Sequence, residues 1–450
     1  MSILIDIFKP APHIPEIQDK DIVDKKYAYW RVRILYSICI GYALYYITRK
    51  SFTFAMPGII EELGYDKAQL GFLGSIFSIT YGISKFSSGM MSDRSNPRYF
   101  MAFGLILTGV SNILFGLSSS LVLFALFWGM NGWFQGFGAP PCVRFLTQWY
   151  SHGERGSWWS TWAVSHNVGA FVTPWIVGYC MQHWGWRYGV YVPGVICILG
   201  GLFLINRLRD SPQSMGLPAI SKYRNDYGDV ACVSSEEDKK HSAVRVLFDA
   251  VLKNKYIWML AIAYFFIYVV RMGVGDWTAL YLLETKGYSN IGANGTASLF
   301  EVGGFFGILF AGWSSDRLFG ARRAPINILF SVAILLSILF FWYVPEGYQM
   351  LDSIAVFCLG FTVFGPQMLI GVAAAELVHQ EAVATSNGFI SLMAYIGAAA
   401  AGYPLGKITQ VYGWYGFFVS LVVSGILTFL VLLPLWNLAE SKIESQNNPG

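Results

Sequence analysis

Twice in this chain an arginine stands deep inside an apolar run, and the two occurrences are related. Gly41-Tyr42-Ala43-Leu44-Tyr45-Tyr46-Ile47-Thr48-Arg49-Lys50 is the first, and Phe266-Ile267-Tyr268-Val269-Val270-Arg271 is a weaker echo. Both hold Tyr-x-x-Arg, at 46/49 and at 268/271, an offset of 222 positions. Downstream, Gly89-Met90-Met91-Ser92-Asp93-Arg94 recurs as Gly312-Trp313-Ser314-Ser315-Asp316-Arg317, at an offset of 223. Two features at nearly one offset mark an internal duplication. The chain reads as two related halves, each placing one arginine inside a membrane.

The membrane follows from composition. Of 450 residues, 55% are hydrophobic and only 13% are charged, against about 25% charged in soluble domains. Mean hydropathy is +0.47, and the apolar residues fall in repeated runs of ~20, the length that crosses a bilayer as a helix. Twelve spans are expected, near 31–57, 69–92, 98–117, 121–147, 157–183, 186–206, 256–284, 292–316, 323–344, 350–378, 384–410 and 414–437. The expected fold class is therefore an all-α membrane protein of twelve transmembrane helices. Residues 1–30 form a polar amino-terminal segment without the apolar core of a cleavable signal peptide. A six-helix half over 31–206 is followed by a linker, 207–255, with the mixed-charge run Glu236-Glu237-Asp238-Lys239-Lys240, read as a solvated loop. A second half covers 256–437, and 438–450 is a tail.

Lysine and arginine placement sets orientation. With the amino terminus inside, 23 of the 31 lie in inner segments and four in outer loops (Lys67, Arg187, Lys286, Lys407). The remaining four, Arg49, Lys50, Lys85 and Arg271, lie within spans. Both termini are expected on the cytoplasmic side. Five of the six cysteines sit in apolar runs, Cys232 being the other, and none forms a C-x-x-C pair. They read as small apolar residues. No metal set, cofactor motif, phosphate-cradling Gly-rich loop or nucleic-acid signature is present, so neither an enzyme nor an ATP-driven pump is expected.

Arg49 and Arg271 lie ~20–27 Å along their helices from the inner end. A central arginine costs at least ~2.5–3.5 kcal/mol to insert, which points to a polar cavity, an ion pair or a ligand. The acids available for an ion pair are Glu301 and Asp276, but acids do not recur with the repeat. Two guanidiniums suit a phosphate monoester, tetrahedral and dianionic, which accepts forked N–H donors. Tyr46 and Tyr268, three residues before each arginine, share its helix face. They either donate hydroxyls to the ligand or pack. Lys85 in span two, with Tyr81 four residues before it, either adds a third positive charge or snorkels to the inner face. His166, in Val164-Ser165-His166-Asn167-Val168-Gly169, either bonds a phosphate or packs. Asp93, Arg94, Asp316 and Arg317 sit in short basic loops between helix ends and are read as gating residues.

These motifs resemble a known family. Twelve spans and the paired Gly-x-x-Ser-Asp-Arg loops resemble the major facilitator superfamily, with its two pseudo-symmetric six-helix halves. Gly41–Phe52, Ser165–Gly169, Tyr268–Arg271 and Phe364-Gly365-Pro366-Gln367-Met368-Leu369-Ile370-Gly371 resemble the organophosphate:phosphate antiporter family. Gly89–Phe100 and Met393-Ala394-Tyr395-Ile396-Gly397 are similar to the hexose-phosphate branch, and within it to the regulatory-protein-like members. The resemblance implies an inner-membrane antiporter exchanging a sugar phosphate, glucose 6-phosphate, for inorganic phosphate. It implies that Arg49 and Arg271 hold the phosphoryl group, that Lys85 and His166 tune the site, and that Tyr42, Tyr46, Tyr81 and Tyr268 surround it. One departure stands out: an Asp and a Lys that hexose-phosphate transporters carry in span eleven are replaced by Asn387 and Ile390. A receptor for external hexose phosphate, acting with a membrane histidine kinase, is the alternative. A proton-linked anion carrier using His166 or Glu301 is a third. Each chain holds both halves of the site, so a monomer is expected.

Overall fold

The computed structural model describes residues 9–225, 252–320, 322–377 and 383–436. The 236–240 charge run, Cys232 and the 438–450 tail lie outside the described residues. Fourteen α-helices are described. They are α1 (Lys20–Leu63), α2 (Lys67–Asp93), α3 (Pro97–Leu117), α4 (Leu121–Gln135), α5 (Ala139–Trp149), α6 (His152–Trp184), α7 (Trp186–Arg207) and the short α8 (Ile220–Arg224). After the linker come α9 (Lys255–Lys286), α10 (Asn290–Leu318), α11 (Arg323–Tyr343), α12 (Gln349–Glu376), α13 (Val383–Ala400) and α14 (Tyr403–Leu432). The starts are written in the sequence. Asn96 and Asn254 accept from the backbone N–H two residues on, and Ser289 accepts from Gly292 N, which satisfies donors that a helix start leaves open.

The helices match the twelve expected spans with two differences. The fourth span is broken between α4 and α5, where Pro140 and Pro141 supply no N–H to continue the first helix. In the last two spans, the chain interrupts its helix between Ala400 and Tyr403 and again at Gly413, which has φ +64°. The eleventh span therefore ends at Gly413, within α14. Seven described stretches are long and apolar enough to cross a membrane by themselves. α1, α2 and α6 are long but not among them; they carry Arg49 and Lys50, Lys85, and His166 together with other polar residues.

The chain forms two compact units. Unit one comprises Met1–Phe52, Thr80–Cys180 and Trp184–Lys240; unit two comprises Thr53–Ile79, Met181–His183 and His241–Gly450. Each uses the same device to bring helices together. In unit one a Cβ on Gly169 would collide with the Ala43 carbonyl; in unit two a Cβ on Gly397 would collide with the Phe265 carbonyl. Ala43 and Phe265 are 222 positions apart, so the duplication extends to backbone packing. Association in lipid relies on such close approach, because the hydrophobic effect does not act between helices there.

The start of the linker is not a solvated loop. Ile14 N donates to Gln213 O at 3.2 Å and Ile17 N to Gly216 O at 2.9 Å, so the amino-terminal segment lies along it. Tyr27 stacks on Tyr223 at 4.0 Å, Leu217 is 1% exposed, and Asp210 accepts from Ala11 N at 2.6 Å. Burial pushes the Asp210 carboxyl above the usual range, against the pull of Ala11 N–H and Arg144. Prolines and Gly216 (φ +70°) let the segment turn back, and aromatic packing holds it.

Candidate functional site

In unit one, the α1 face bearing Tyr42, Tyr46 and Arg49 carries an aromatic cluster. The guanidinium carbon of Arg49 lies 5.1 Å from the Tyr46 ring centroid and 4.2 Å from that of Tyr81, on α2. Tyr42 packs edge-on to Tyr46 at 5.6 Å, and Tyr46 meets His166 at 5.4 Å. His166 Nδ1 donates to the Ala163 carbonyl, which leaves Nε2 to meet a ligand. Gly169, one turn on, lets α6 approach α1 closely enough for that ring pair. Five predicted residues, Tyr42, Tyr46, Arg49, Tyr81 and His166, are thus gathered in one place. Lys85 is one turn further along α2 than Tyr81 and is exposed.

Unit two builds the matching arrangement from different residues. The Arg271 guanidinium carbon lies 5.4 Å from the Tyr268 ring and 4.6 Å from Phe364 on α12. Tyr264 meets Tyr268 at 4.9 Å, and Tyr395 on α13 meets it at 6.1 Å. A guanidinium over an aromatic face gains ~0.5–2 kcal/mol, more when dry, which offsets part of the cost of holding the charge at this depth. Asn387 lies on α13 against Gly371, and Ile390 is buried in the apolar core.

Tyr264, Tyr395, Phe364 and Trp162, which packs on Tyr42 at 4.8 Å, were not anticipated. The signal for Tyr264 was present: it stands 222 positions after Tyr42, as Tyr268 does after Tyr46. Phe364 had no such signal. The position 223 after Tyr81 is Gly304, and a Cβ there would lie 2.7 Å from the Phe364 ring. A ring from another helix fills the place that Tyr81 occupies in unit one.

Of the four residues read from the sequence as gating, Arg94 and Arg317 are exposed, and the Asp93 side chain lies outside the described atoms. Arg144 donates to the Ser92 and Ser95 carbonyls at 2.7 and 2.5 Å, tying down the loop after α2. Asp316 accepts from Arg323 at 2.5 Å, and Arg323 also bonds Glu376 at 3.2 Å. A further set of contacts in unit two holds the start of α2. Lys67 pairs with Glu284 at 2.8 Å, and Trp414 Nε1 donates to the same carboxylate at 2.9 Å. Ser75 donates to Ala399 O and accepts from Tyr403 N. Asp276, one of the acids considered for an arginine, accepts from Thr53 at 3.2 Å.

Comparison with known proteins identifies the setting of these residues. Residues 38–402 match the Major Facilitator Superfamily. The chain is 53% identical to the "Probable hexose phosphate transport protein" of Chlamydia trachomatis, over the whole of both chains. It is 46% identical to the "Membrane sensor protein UhpC" of Salmonella typhimurium, covering 96% of this chain and 98% of that one. Among solved structures, the inward-facing, unoccupied form of a bacterial homolog to the human lysosomal transporter Spinster aligns with TM-score 0.73 at 17% identity. The alignment covers 90% of this chain and 95% of that one, a likeness of fold alone. The chain is a multi-pass membrane protein of the Major Facilitator Superfamily, a transporter family rather than an enzyme family, and belongs to its organophosphate:phosphate antiporter branch of sugar-phosphate transporters.

Proposed function

We propose that this protein is an inner-membrane antiporter, with both termini in the cytoplasm, that exchanges glucose 6-phosphate for inorganic phosphate. One observation carries the reading: each unit holds one deep arginine against two aromatic faces, in matching helix positions. The phosphoryl group takes forked N–H donors from Arg49 and Arg271, which a lysine cannot supply. Tyr42, Tyr46, Tyr81 and Tyr268 offer hydroxyls, Lys85 adds charge, His166 accepts or donates as phosphate titrates, and Asn387 faces the sugar. With no anion bound, the two arginines repel. A bound phosphate cancels that repulsion and lets the halves change access, so the loaded carrier turns over and the empty one does not. Asp93, Arg94, Asp316 and Arg317 bias that change. The carrier acts as a monomer.

The test is uptake of labelled glucose 6-phosphate into proteoliposomes. Uptake requires internal phosphate, and Arg49→Ala or Arg271→Ala lowers it about 100-fold, as expected for loss of a charge-assisted fork. The likeness to a membrane sensor and the replacement of the acid–lysine pair by Asn387 and Ile390 favour one second reading, a receptor that signals to a histidine kinase. Arginine-dependent binding of glucose 6-phosphate without uptake would select it. Uptake driven by a pH gradient without internal phosphate would instead indicate a proton-linked carrier.

A further inference from the structure

Behind Arg49, on the α1 face turned away from the aromatic cluster, lies a ladder of buried amides. Gln135 Nε2, on α4, donates to Tyr45 O at 3.0 Å and to Thr48 Oγ1 and Asn131 Oδ1 at 3.2 Å. Asn131, one turn earlier, donates to Thr48 O at 3.3 Å and to Asn112 Oδ1 at 2.8 Å. Asn112, on α3, donates to Ser51 Oγ at 2.8 Å and to Val190 O, on α7, at 3.4 Å. Thr48, Ser51, Asn112 and Asn131 are 0% exposed and Gln135 is 5% exposed. Four helices of unit one therefore meet at a chain of hydrogen bonds that terminates on the turn carrying Arg49.

Two points separate this ladder from ordinary packing. In an α-helix the Arg49 N–H bonds the Tyr45 carbonyl, which is the carbonyl Gln135 also binds. The ladder thus acts on the hydrogen bond that sets the height and rotation of Arg49. The second point is asymmetry. At the positions 222 after Tyr45, Thr48 and Ser51, α9 carries Ile267, Val270 and Gly273, which have no side-chain donor or acceptor. The Arg49 turn is keyed by directional bonds, whereas the matching positions beside Arg271 contribute only apolar surface. A slip of the Arg49 turn would leave several buried amides unsatisfied, a directional penalty that apolar side chains do not impose.

We propose that Gln135, Asn131 and Asn112 are positioning residues that fix the rotation of the Arg49 turn and thereby set affinity for the phosphoryl group. The inference rests on the antiporter reading for its ligand, but not for its geometry.

The test uses full-length protein in proteoliposomes and two isosteric variants, Gln135→Met and Thr48→Val. Phosphate self-exchange is expected to show KM raised about tenfold in Gln135→Met and about threefold in Thr48→Val, the range for lost buried hydrogen bonds. Maximal rate stays within about twofold of the parent, since the bonds act on positioning. A merely structural role would lower folded yield and maximal rate and leave KM alone. The second readout needs no substrate. Arg49→Cys is labelled with a membrane-impermeant thiol reagent, with the unsubstituted chain as blank, and its rate changes at least about threefold when Gln135→Met is added. Unchanged KM, together with an unchanged labelling rate for the Arg49→Cys thiol in a folded variant, overturns the proposal. If the parent shows no phosphate exchange, the antiporter reading fails, and the labelling rates alone decide whether the ladder positions residue 49. If Gln135→Met does not fold, Thr48→Val decides by the same two criteria.

Discussion

The Arg49 guanidinium lies 4.2 Å above the Tyr81 ring, so the charge on α1 rests on a side chain of the neighbouring helix α2. The ring face supplies negative potential without adding a formal charge to the site. Tyr81→Phe keeps the face and loses only the hydroxyl offered to the ligand, so it is expected to raise the KM for phosphate about threefold, whereas Tyr81→Leu, which loses both, raises it about tenfold. Equal effects of the two variants would show that the hydroxyl, not the ring, is what matters.

The start of α2 is held in unit two with almost no spare volume. A Cβ on Gly71 would lie 2.5 Å from the Gly402 carbonyl oxygen, and one on Gly406 2.5 Å from the Lys67 carbonyl oxygen. Gly71→Leu is expected to push residues 67–79 off residues 399–406, at about 1–3 kcal/mol of overpacking. A cysteine placed at Ser75 then reacts faster with a thiol reagent in the Gly71→Leu background. An unchanged rate would mean that this contact does not hold the segment.

Lys286 and Asp352 form a buried pair at 3.6 Å, with side chains 4% and 0% exposed. Tyr288 donates to the same carboxylate at 3.0 Å, and Lys286 also bonds the Val344 carbonyl. Removing one member strands the other charge away from water. Lys286→Met alone is expected to destabilise the detergent-solubilised protein by about 3–5 kcal/mol, and the Lys286→Met, Asp352→Asn double variant by clearly less. Thermal melts of the parent, the two single variants and the double variant form the cycle; additive losses would show the two residues to be energetically independent.

Glu154 gives a pH dependence with a definite sign. Burial alone would raise its carboxyl, but Arg31 at 2.5 Å, the Ser151 N–H and the Trp158 ring N–H outweigh it and hold the group below the ordinary value of 4.5. A depressed carboxyl contributes stability that is present above its unfolded value and lost as pH falls through its folded one. The parent is therefore expected to exceed Glu154→Gln in stability at pH 7 by up to about 1 kcal/mol, the pair being partly exposed. The gap closes as pH drops below 4.5. Melts at pH 7 and at successive steps below that value check this; a gap that widens on acidification reverses the assignment.

Much of this protein could be read from the chain alone, because a bilayer leaves few choices. Backbone groups in lipid must bond internally, so runs of ~20 apolar residues became helices close to the expected limits. The two Tyr-x-x-Arg motifs placed each arginine beside a tyrosine on its own helix, since residues three apart share a face. The duplication would also have located Tyr264, from Tyr42. Only the tertiary structure could assign what other helices bring. Tyr81, Phe364 and Tyr395 reach the arginine clusters from α2, α12 and α13. The Asn112–Asn131–Gln135 ladder joins residues whose hydrogen-bond partners are up to 90 positions away. Periodicity reports which face of a helix is apolar, not which neighbour that face meets. The breaks at residues 136–138, 401–402 and 413 likewise depend on glycines and prolines whose effect is local and whose tolerance is set by packing. The sequence determined where each charge enters the membrane; the packing of helices against one another determined what each charge rests on.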